Sequence, residues 1–305
     1  MSHNPRTLRI GTRASRLARW QADWVSSQLK QLGVDVDLVL IRTEGDKRPE
    51  PIVSIGSQGL FTKEIQRALL AGEVDLAVHS LKDLPTEKIE GLSLAAVPSR
   101  ADPLDVLISN SASDLDSLPE GSIVGTGSMR RRAQLLHVRP DLQIEPIRGN
   151  LETRLDRVAE SDCAAVILAA AGLMRLELDE RISCRLPADV MMPAIGQGAL
   201  GLESRSDDEF TCQQLARLDD PASHAAVLAE RALLAALRGG CLAPIGAWGR
   251  WQDDQLLLEA VVLDDDGRQR LWASGQAGDT DPVDLGESVA AELIELGALD
   301  LLRNA

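Results

Sequence analysis

A short apolar strand that runs into a Gly/Thr turn and then a helix occurs twice in this chain, at 8–20 and again at 122–135. In the first copy Leu8-Arg9-Ile10 is extended and Gly11-Thr12 turns. Ser15 then caps a helix on which Trp20, Trp24 and Leu29 share a face. In the second, Ser122-Ile-Val124 leads through Gly125-Thr-Gly-Ser128 into a helix from Met129 to Val138. Another pattern also recurs. A buried-type strand ends in a charged turn at 75–83, where Asp75 to His79 runs into Ser80-Leu-Lys-Asp-Leu-Pro85, and again at 164–175. Strands alternating with helices predict α/β layers with parallel strands. Ligands of such sheets sit beyond the C-terminal strand ends, which is where these turns fall.

At 305 residues a single core divides, so two or three domains are expected. The chain has 32 Lys+Arg against 47 Asp+Glu, a net charge of −15, which argues against a general nucleic-acid binder. Of those cations 27 are Arg and 5 are Lys. Arg pairs bidentately with carboxylate or phosphate, so an Arg-lined anion pocket is worth seeking in an acidic chain. No apolar run approaches the ~20 residues of a membrane span, and Met1 to Ser15 has no apolar signal region. Cys163, Cys184, Cys212 and Cys241 are far apart and the 4 His are scattered, so no metal site is expected and a reduced cytoplasmic setting fits.

Between the repeats, Val34 to Ile41 alternates as a strand and Thr62 to Leu70 is helical. Thr43 to Gln58 carries Gly, Pro and charge without a period and reads as a long loop, of a length that is commonly functional. A second unit begins near Asp102-Pro103. It continues with a strand from Leu142 to Ile147, the turn Arg148-Gly149-Asn150, and a helix from Leu151 to Ala159. Met191 to Gly198 is a crossover punctuated by Gly and Pro, and Leu218 to Pro221 marks the next boundary. The helix from His224 to Arg238 turns Val227, Leu228, Leu234 and Leu237 inward, and Gly239-Gly240 stops it and delivers Cys241. A hairpin around Asp264 to Gly267 and a final helix from Leu285 to Leu302 complete a small α+β tail.

The densest chemical signal is Gly125-Thr-Gly-Ser-Met-Arg-Arg-Arg132. A strand-to-helix turn directs free N–H groups and the positive dipole end outward, which suits an anion, and Thr126 and Ser128 add hydroxyl donors. Cations in a first helical turn oppose the dipole by ~0.3–1 kcal/mol each, so a ligand anion is the expected reason for them. Three consecutive Arg cannot share one face, so at most two reach one site. Arg13, Arg148, Arg154 and Arg175 also lie in or after strand-end turns, and together the set suggests a ligand with several carboxylates or phosphates. Neither nucleotide-binding glycine pattern is present. Asp83 is read two ways: a turn residue paired with its neighbour, or a carboxylate that stabilises a cation or moves protons. Cys241, approached by two glycines, suits a nucleophile or attachment point, although buried inert Cys is the commoner fate of a thiol.

Seven segments in order resemble the porphobilinogen deaminase (hydroxymethylbilane synthase) family: Ile10-Gly-Thr-Arg-Ala-Ser15, Gly59 to Glu64, Ala77 to Pro85, Gly125 to Arg131, Arg148 to Arg154, Pro193 to Gly198 and Gly239 to Gly246. The resemblance runs from about Leu8 to the C-terminus. It implies three α/β domains: the first, 1–100 plus 196–218, and the second, 101–195, resemble periplasmic binding-protein lobes with mixed sheets; the third, 219–305, is a small α+β domain carrying the cofactor cysteine. It implies a transferase that joins four porphobilinogen molecules head to tail with loss of ammonia. The product is hydroxymethylbilane (preuroporphyrinogen), in tetrapyrrole and heme biosynthesis. A dipyrromethane cofactor is then bound covalently through Cys241, and Asp83 is the catalytic carboxylate beside the cation formed as ammonia leaves. Arg13, Ser15, Lys82, Thr126, Ser128, Arg130, Arg131, Arg148, Arg154 and Arg175 contact cofactor and substrate. Porphobilinogen and its linear oligomers are the partners of a cytoplasmic monomer, with no nucleic acid and no membrane.

Some positions depart from the family pattern. Ser54 and Gln58 stand where Lys is frequent, Arg16 where Pro is usual, and Gly127 where Ser is common. The first two bear on the 43–58 loop, expected to be a mobile cover that excludes water. The alternative reading is a two-lobed anion-binding protein without catalysis, which would need neither Asp83 nor Cys241.

Overall fold

The computed structural model describes residues 6–42, 62–160, 163–240, 243–278 and 281–303. The 43–58 cover and Cys241 therefore lie outside the described residues. In chain order the elements open with β1 (Leu8–Thr12), α1 (Arg16–Gln31), β2 (Val36–Leu40), α2 (Lys63–Leu70), β3 (Leu76–Ser80), a 3₁₀ turn (Leu81–Asp83) and β4 (Leu92–Ala96). They continue with β5 (Asp105–Ser109), β6 (Ile123–Gly125), α3 (Met129–Val138), β7 (Gln143–Glu145), α4 (Leu151–Glu160), β8 (Ala165–Ala169), α5 (Ala170–Arg175) and β9 (Cys184–Arg185). The remainder is β10 (Leu200–Arg205), α6 (Glu209–Ala216), α7 (Pro221–Ala236), β11 (Ile245–Gln252), β12 (Gln255–Leu263), β13 (Arg270–Ala277), α8 (Pro282–Glu295) and α9 (Ala298–Arg303).

Two compact units result: Met1–Arg100 with Ala199–His224, and Ala101–Gly198 with Ala225–Ala305. The first holds a five-stranded sheet in the order β2-β1-β3-β10-β4. The second holds a five-stranded sheet ordered β7-β6-β8-β5-β9 and a three-stranded sheet, β11-β12-β13. The α/β class expected from the sequence and the mixed sheets implied by the family resemblance are what the molecule has. The parallel pairing predicted from strand–helix alternation holds for β1, β2 and β3 and for β6, β7 and β8 but not for the other strands of these sheets. β10 runs antiparallel to β3 and β4, and β5 antiparallel to β8 and β9. Both are strands on which the chain enters a sheet from a long crossover rather than from a covering helix, so nothing forces them to run with their neighbours.

In the first unit α1 buries Ala22, Val25 and Leu29 against Leu8, Ile10, Leu76 and Leu202. Its inward face is one residue round from the predicted one: Gln21 is buried and Trp20 is only partly covered. The reason is polar. Gln21 Nε2 donates to Ser80 Oγ at 2.8 Å, which turns that edge of the helix toward β3. Gly11 and Thr12 extend β1 rather than turning, and the turn falls at 13–15.

In the second unit one apolar cluster lies on each face of the five-stranded sheet, around Leu107, Val124 and Ile167 and around Val106, Val166 and Leu168. Successive residues of β5 and β8 enter opposite clusters, the alternation a strand buried on both faces must show. The tail is a three-stranded antiparallel sheet, not a single hairpin, and α7 and α8 cover one face of it. Leu233 rather than Leu234 is the fully buried leucine of that part of α7. The final helix is broken into α8 and α9 at Gly297, whose φ of 101° lies in the left-handed region.

Candidate functional site

In each unit the residues singled out by the sequence gather at one end of a sheet. β1 and β3 are parallel neighbours, with Ile10 opposite Leu76 and Gly11 opposite Ala77. Their C-terminal ends carry Arg13 and Ser15, and Lys82 and Asp83. Ser15 caps α1, its side chain accepting from the Ala18 N–H at 3.3 Å. Thr12, fully buried, donates its hydroxyl to the Ala18 carbonyl at 3.1 Å and ties the strand end to the same helical turn. Asp83 closes the 3₁₀ turn after β3. Leu81 and Leu84, buried on either side of the charged pair, anchor it, while Lys82 and Asp83 are half-exposed. The Leu81 N–H donates to the Ala199 carbonyl at 3.0 Å, so β10 also holds the turn. Beneath it lies a buried polar cluster: Glu203 accepts from Gln66 Nε2 at 3.0 Å and faces His79 Nε2 at 3.2 Å.

In the second unit β6 ends at Gly125. Thr126 is buried, and its hydroxyl oxygen accepts from the Ser128 N–H at 3.2 Å. Ser128 caps α3, accepting from the Arg131 N–H at 3.4 Å. Gly127 has no room for a side chain, since a Cβ there would lie 2.6 Å from the Ile147 carbonyl oxygen. Arg148 is exposed in the turn after β7. Arg154 Nε donates to the Gly149 carbonyl at 3.0 Å, and Asn150 Oδ1 accepts from the Thr153 N–H at 2.8 Å, fixing the start of α4. Arg175 donates from Nη2 to the Gly198 carbonyl at 2.7 Å, and its burial lowers the guanidinium's pKa to about 10, still charged near neutrality.

Arg130 and Arg131 are not turned to solvent. Both are buried, and both pair with Asp105, which is fully buried at the start of β5. Arg130 Nη1 donates to Asp105 Oδ2 at 2.7 Å and to the Met192 carbonyl at 2.6 Å. Arg131 donates to Asp105 Oδ1 from Nε at 3.0 Å and Nη2 at 2.7 Å, and to the Ile167 carbonyl from Nη1 at 2.9 Å. Burial alone would push the Asp105 carboxyl up, but the two guanidiniums outweigh it and hold it at about 2. The expectation that only a ligand anion could justify cations in this first turn is corrected: an internal carboxylate accounts for two of them. Arg132 points elsewhere and meets Asp266 at 3.2 Å on the surface.

Sequence reasoning assigned no role to Asp105 or Gln197. The available signal was a single carboxylate opening the apolar run Asp105-Val-Leu-Ile, after Pro103. At the far end of the unit, α7 stops at Ala236, Arg238 takes a left-handed φ of 51°, and Gly239 is buried where a Cβ would lie 2.4 Å from Ile245 Cδ1. A side chain at 239 would have to displace the ends of Ile245 and Leu234, so glycine suits the close packing at this end of α7. Among the described residues no group of His, Cys, Asp and Glu could hold a metal, and no helix is long and apolar enough to cross a membrane.

Residues 8–213 match the family model described as "Porphobilinogen deaminase, dipyromethane cofactor binding domain", and residues 224–295 match "Porphobilinogen deaminase, C-terminal domain". Porphobilinogen deaminase of Desulforudis audaxviator is 49% identical over 296 residues, covering 96% of this chain and 96% of the relative. That of Pelotomaculum thermopropionicum is 47% identical, covering 98% and 97%. Among solved structures, the methionine binding protein MetQ aligns over 70% of this chain and 89% of its own at 13% identity and a TM-score of 0.46. With two family models covering most of its length and relatives near half identity end to end, the chain belongs to the porphobilinogen deaminase family.

Proposed function

We propose that this chain joins four porphobilinogen molecules head to tail, losing ammonia at each step, and releases hydroxymethylbilane. The observation that carries the reading is the match to both family models along the chain, with Asp83 and the arginines at the C-terminal strand ends of the two units. The non-catalytic alternative is not favoured, because the family is a family of deaminases. We keep the three-domain division, 1–100 plus 196–218, 101–195 and 219–305, as part of the proposal. Its support is that three separate sheets each have their own apolar core.

The first family model is that of a dipyrromethane-binding domain, and the residues here suit such a group. It carries carboxylate arms, and the strand ends offer hydroxyl donors (Ser15, Thr126, Ser128) and cations (Arg13, Lys82, Arg130, Arg131, Arg148, Arg154, Arg175). In the proposal these residues hold the arms of cofactor and substrate, and Cys241 is the covalent attachment. What supports that role for Cys241 is its position just after α7, which ends at Ala236 and is followed by Arg238 at a left-handed φ of 51°. When bound, dipyrromethane supplies the nucleophilic pyrrole carbon to which the first substrate is joined. Asp83 stabilises the cation that the substrate becomes as its ammonia leaves, by charge and by accepting pyrrole N–H groups. A half-exposed carboxylate on a turn locked by two buried leucines can do this without rearranging. The arginines neutralise carboxylates that accumulate as the chain lengthens. The protein would work as a cytoplasmic monomer on porphobilinogen and its linear oligomers.

Intact mass of the purified protein tests the reading. The wild type should carry an adduct of two condensed porphobilinogens, and Cys241→Ser should fold, lack the adduct and fail to turn over. A Cys241→Ser protein that keeps both adduct and activity would overturn the attachment site.

A further inference from the structure

The Asp105 carboxylate has about four lone-pair positions, and four hydrogen bonds arrive at it. Three come from Arg130 and Arg131; the fourth is from Gln197 Nε2 to Oδ1 at 3.0 Å. Three of the four converge on Oδ1, two from Arg131 and one from Gln197, and Arg130 alone holds Oδ2 of this fully buried carboxylate. Gln197 is fully buried too, and its second amide proton goes to the Pro103 carbonyl at 2.7 Å. Its backbone is pinned on both sides. The Gly196 N–H donates to Glu230 Oε2 at 2.6 Å, and the Gly198 carbonyl accepts from the Ala101 N–H at 3.2 Å and from Arg175 at 2.7 Å. Gly198 has φ +86° and no space for a Cβ, which would lie 2.4 Å from the Ala101 carbonyl oxygen. Gln197 is thus a rigidly mounted donor that sets the plane of the carboxylate on which two guanidiniums depend.

We propose that Gln197 is a positioning residue: by orienting Asp105 it fixes how Arg130 and Arg131 present their one surplus positive charge to the carboxylate arms of the bound chain. The inference rests on the reading above that this pair holds such arms. Two cations against one carboxylate leave a single net charge. Its direction is set jointly by Asp105 and the backbone: Arg131 places two of its five N–H groups on Asp105 and one on the Ile167 carbonyl, and Arg130 divides Nη1 between Asp105 and the Met192 carbonyl. Loss of the Gln197 donor leaves Oδ1 held by Arg131 alone, so the carboxylate can tilt and the Nε and Nη2 contacts of Arg131 tilt with it. An error of about 1 Å in such placement costs on the order of 100-fold in rate.

Gln197→Met keeps the volume and removes the donor. Circular dichroism and thermal melting check its fold, intact mass gives the fraction carrying the adduct, and kcat and KM for porphobilinogen are taken per adduct-carrying molecule. The expected result is a lower adduct fraction and a kcat reduced by roughly 10–100-fold at nearly unchanged KM. A merely structural role would lower the melting temperature and leave kcat per loaded molecule as in wild type, and that outcome overturns the proposal. Should Gln197→Met not fold, Gln197→Glu decides. Its carboxyl would face Asp105 of β5, the Pro103 carbonyl, Arg130 and Arg131 of α3 and, through Gly198, Arg175 of α5. Protonated, it can donate as glutamine does; ionised, it cannot. Recovery of kcat on acidification supports the role, and a pH-independent loss or no loss refutes it. A wild type with neither adduct nor turnover overturns the functional reading itself, whereas a normal wild type with an equally active Gln197→Met overturns the positioning alone.

Discussion

Two aspartates stand at equivalent kinds of place, beside the charged ends of buried strands, and their surroundings divide their work. Asp105 is enclosed and fully hydrogen-bonded. Asp83 is half-exposed on a turn anchored by the buried Leu81 and Leu84. Position along a strand was legible in the sequence for Asp83, but exposure was not, because it depends on what packs beside the turn. Asp83→Asn keeps shape and removes charge, so its turnover should fall by about 10²–10³-fold with an unchanged circular dichroism spectrum. Turnover close to wild type would leave Asp83 as a turn residue. Before Cys241, the two glycines were readable as an approach, and the structure adds that Gly239 packs closely under Ile245 and Leu234.

The helix α3 shows how one element carries residues of different fate. Its cap at Ser128 and its span follow from local sequence, and the incompatibility of three successive arginines with one face was also predictable. Which two turn inward, and toward what, depended on β5 arriving antiparallel beside β8, with Asp105 opposite Ala169. Arg131→Leu and Arg132→Leu should therefore differ sharply. The first removes two charge-assisted hydrogen bonds from a buried carboxylate that keeps Arg130 and Gln197, a change that costs about 1.5–3 kcal/mol, and should also depress the adduct fraction. The second removes a surface pair worth about 0–1 kcal/mol. Urea unfolding and intact mass on both variants check this, and equal damage from the two would mean that the inward and outward assignments are wrong. The strand β10 teaches the same lesson. Leu200-Gly-Leu-Glu-Ser-Arg205 gives no clean strand pattern, because Glu203 is buried and satisfied by Gln66 and His79 from other elements.

Across the molecule, both five-stranded sheets share one plan: a parallel trio and a fourth strand, supplied by the crossover, running against it. Each unit also has a buried carboxylate held by arginines. Asp75 in the first, hydrogen-bonded by Arg6 and Arg9, and Asp105 in the second are both held at about 2 against the lifting effect of burial. A carboxyl depressed in the folded state stabilises it above its unfolded value, and the contribution is lost as pH falls through the folded value. Stability should accordingly decline between about pH 4 and pH 2, with Asp105 contributing on the order of 2 kcal/mol. Urea midpoints measured through that window test it. A flat profile there would rule out these two aspartates as the acid-labile elements, and Asp105→Asn should flatten the part that belongs to the second unit.

The sequence by itself determined the α/β class, the recurrence of the strand–turn–helix unit, the caps at Ser15 and Ser128, and the turns that hold Asp83 and the arginines. All of these are written in hydrophobic period, glycine placement and hydrogen-bonding side chains a few residues apart. Only the tertiary structure decided the direction of β5 and β10, the inward face of α1, and the conversion of Arg130 and Arg131 from free cations into partners of Asp105 under the hold of Gln197. Those outcomes join residues from 25 positions apart (Arg130 and Asp105) to 128 apart (Ser204 and Leu76). The energy of such a contact depends on burial and on the partner it meets, and neither is a property of a short stretch of chain.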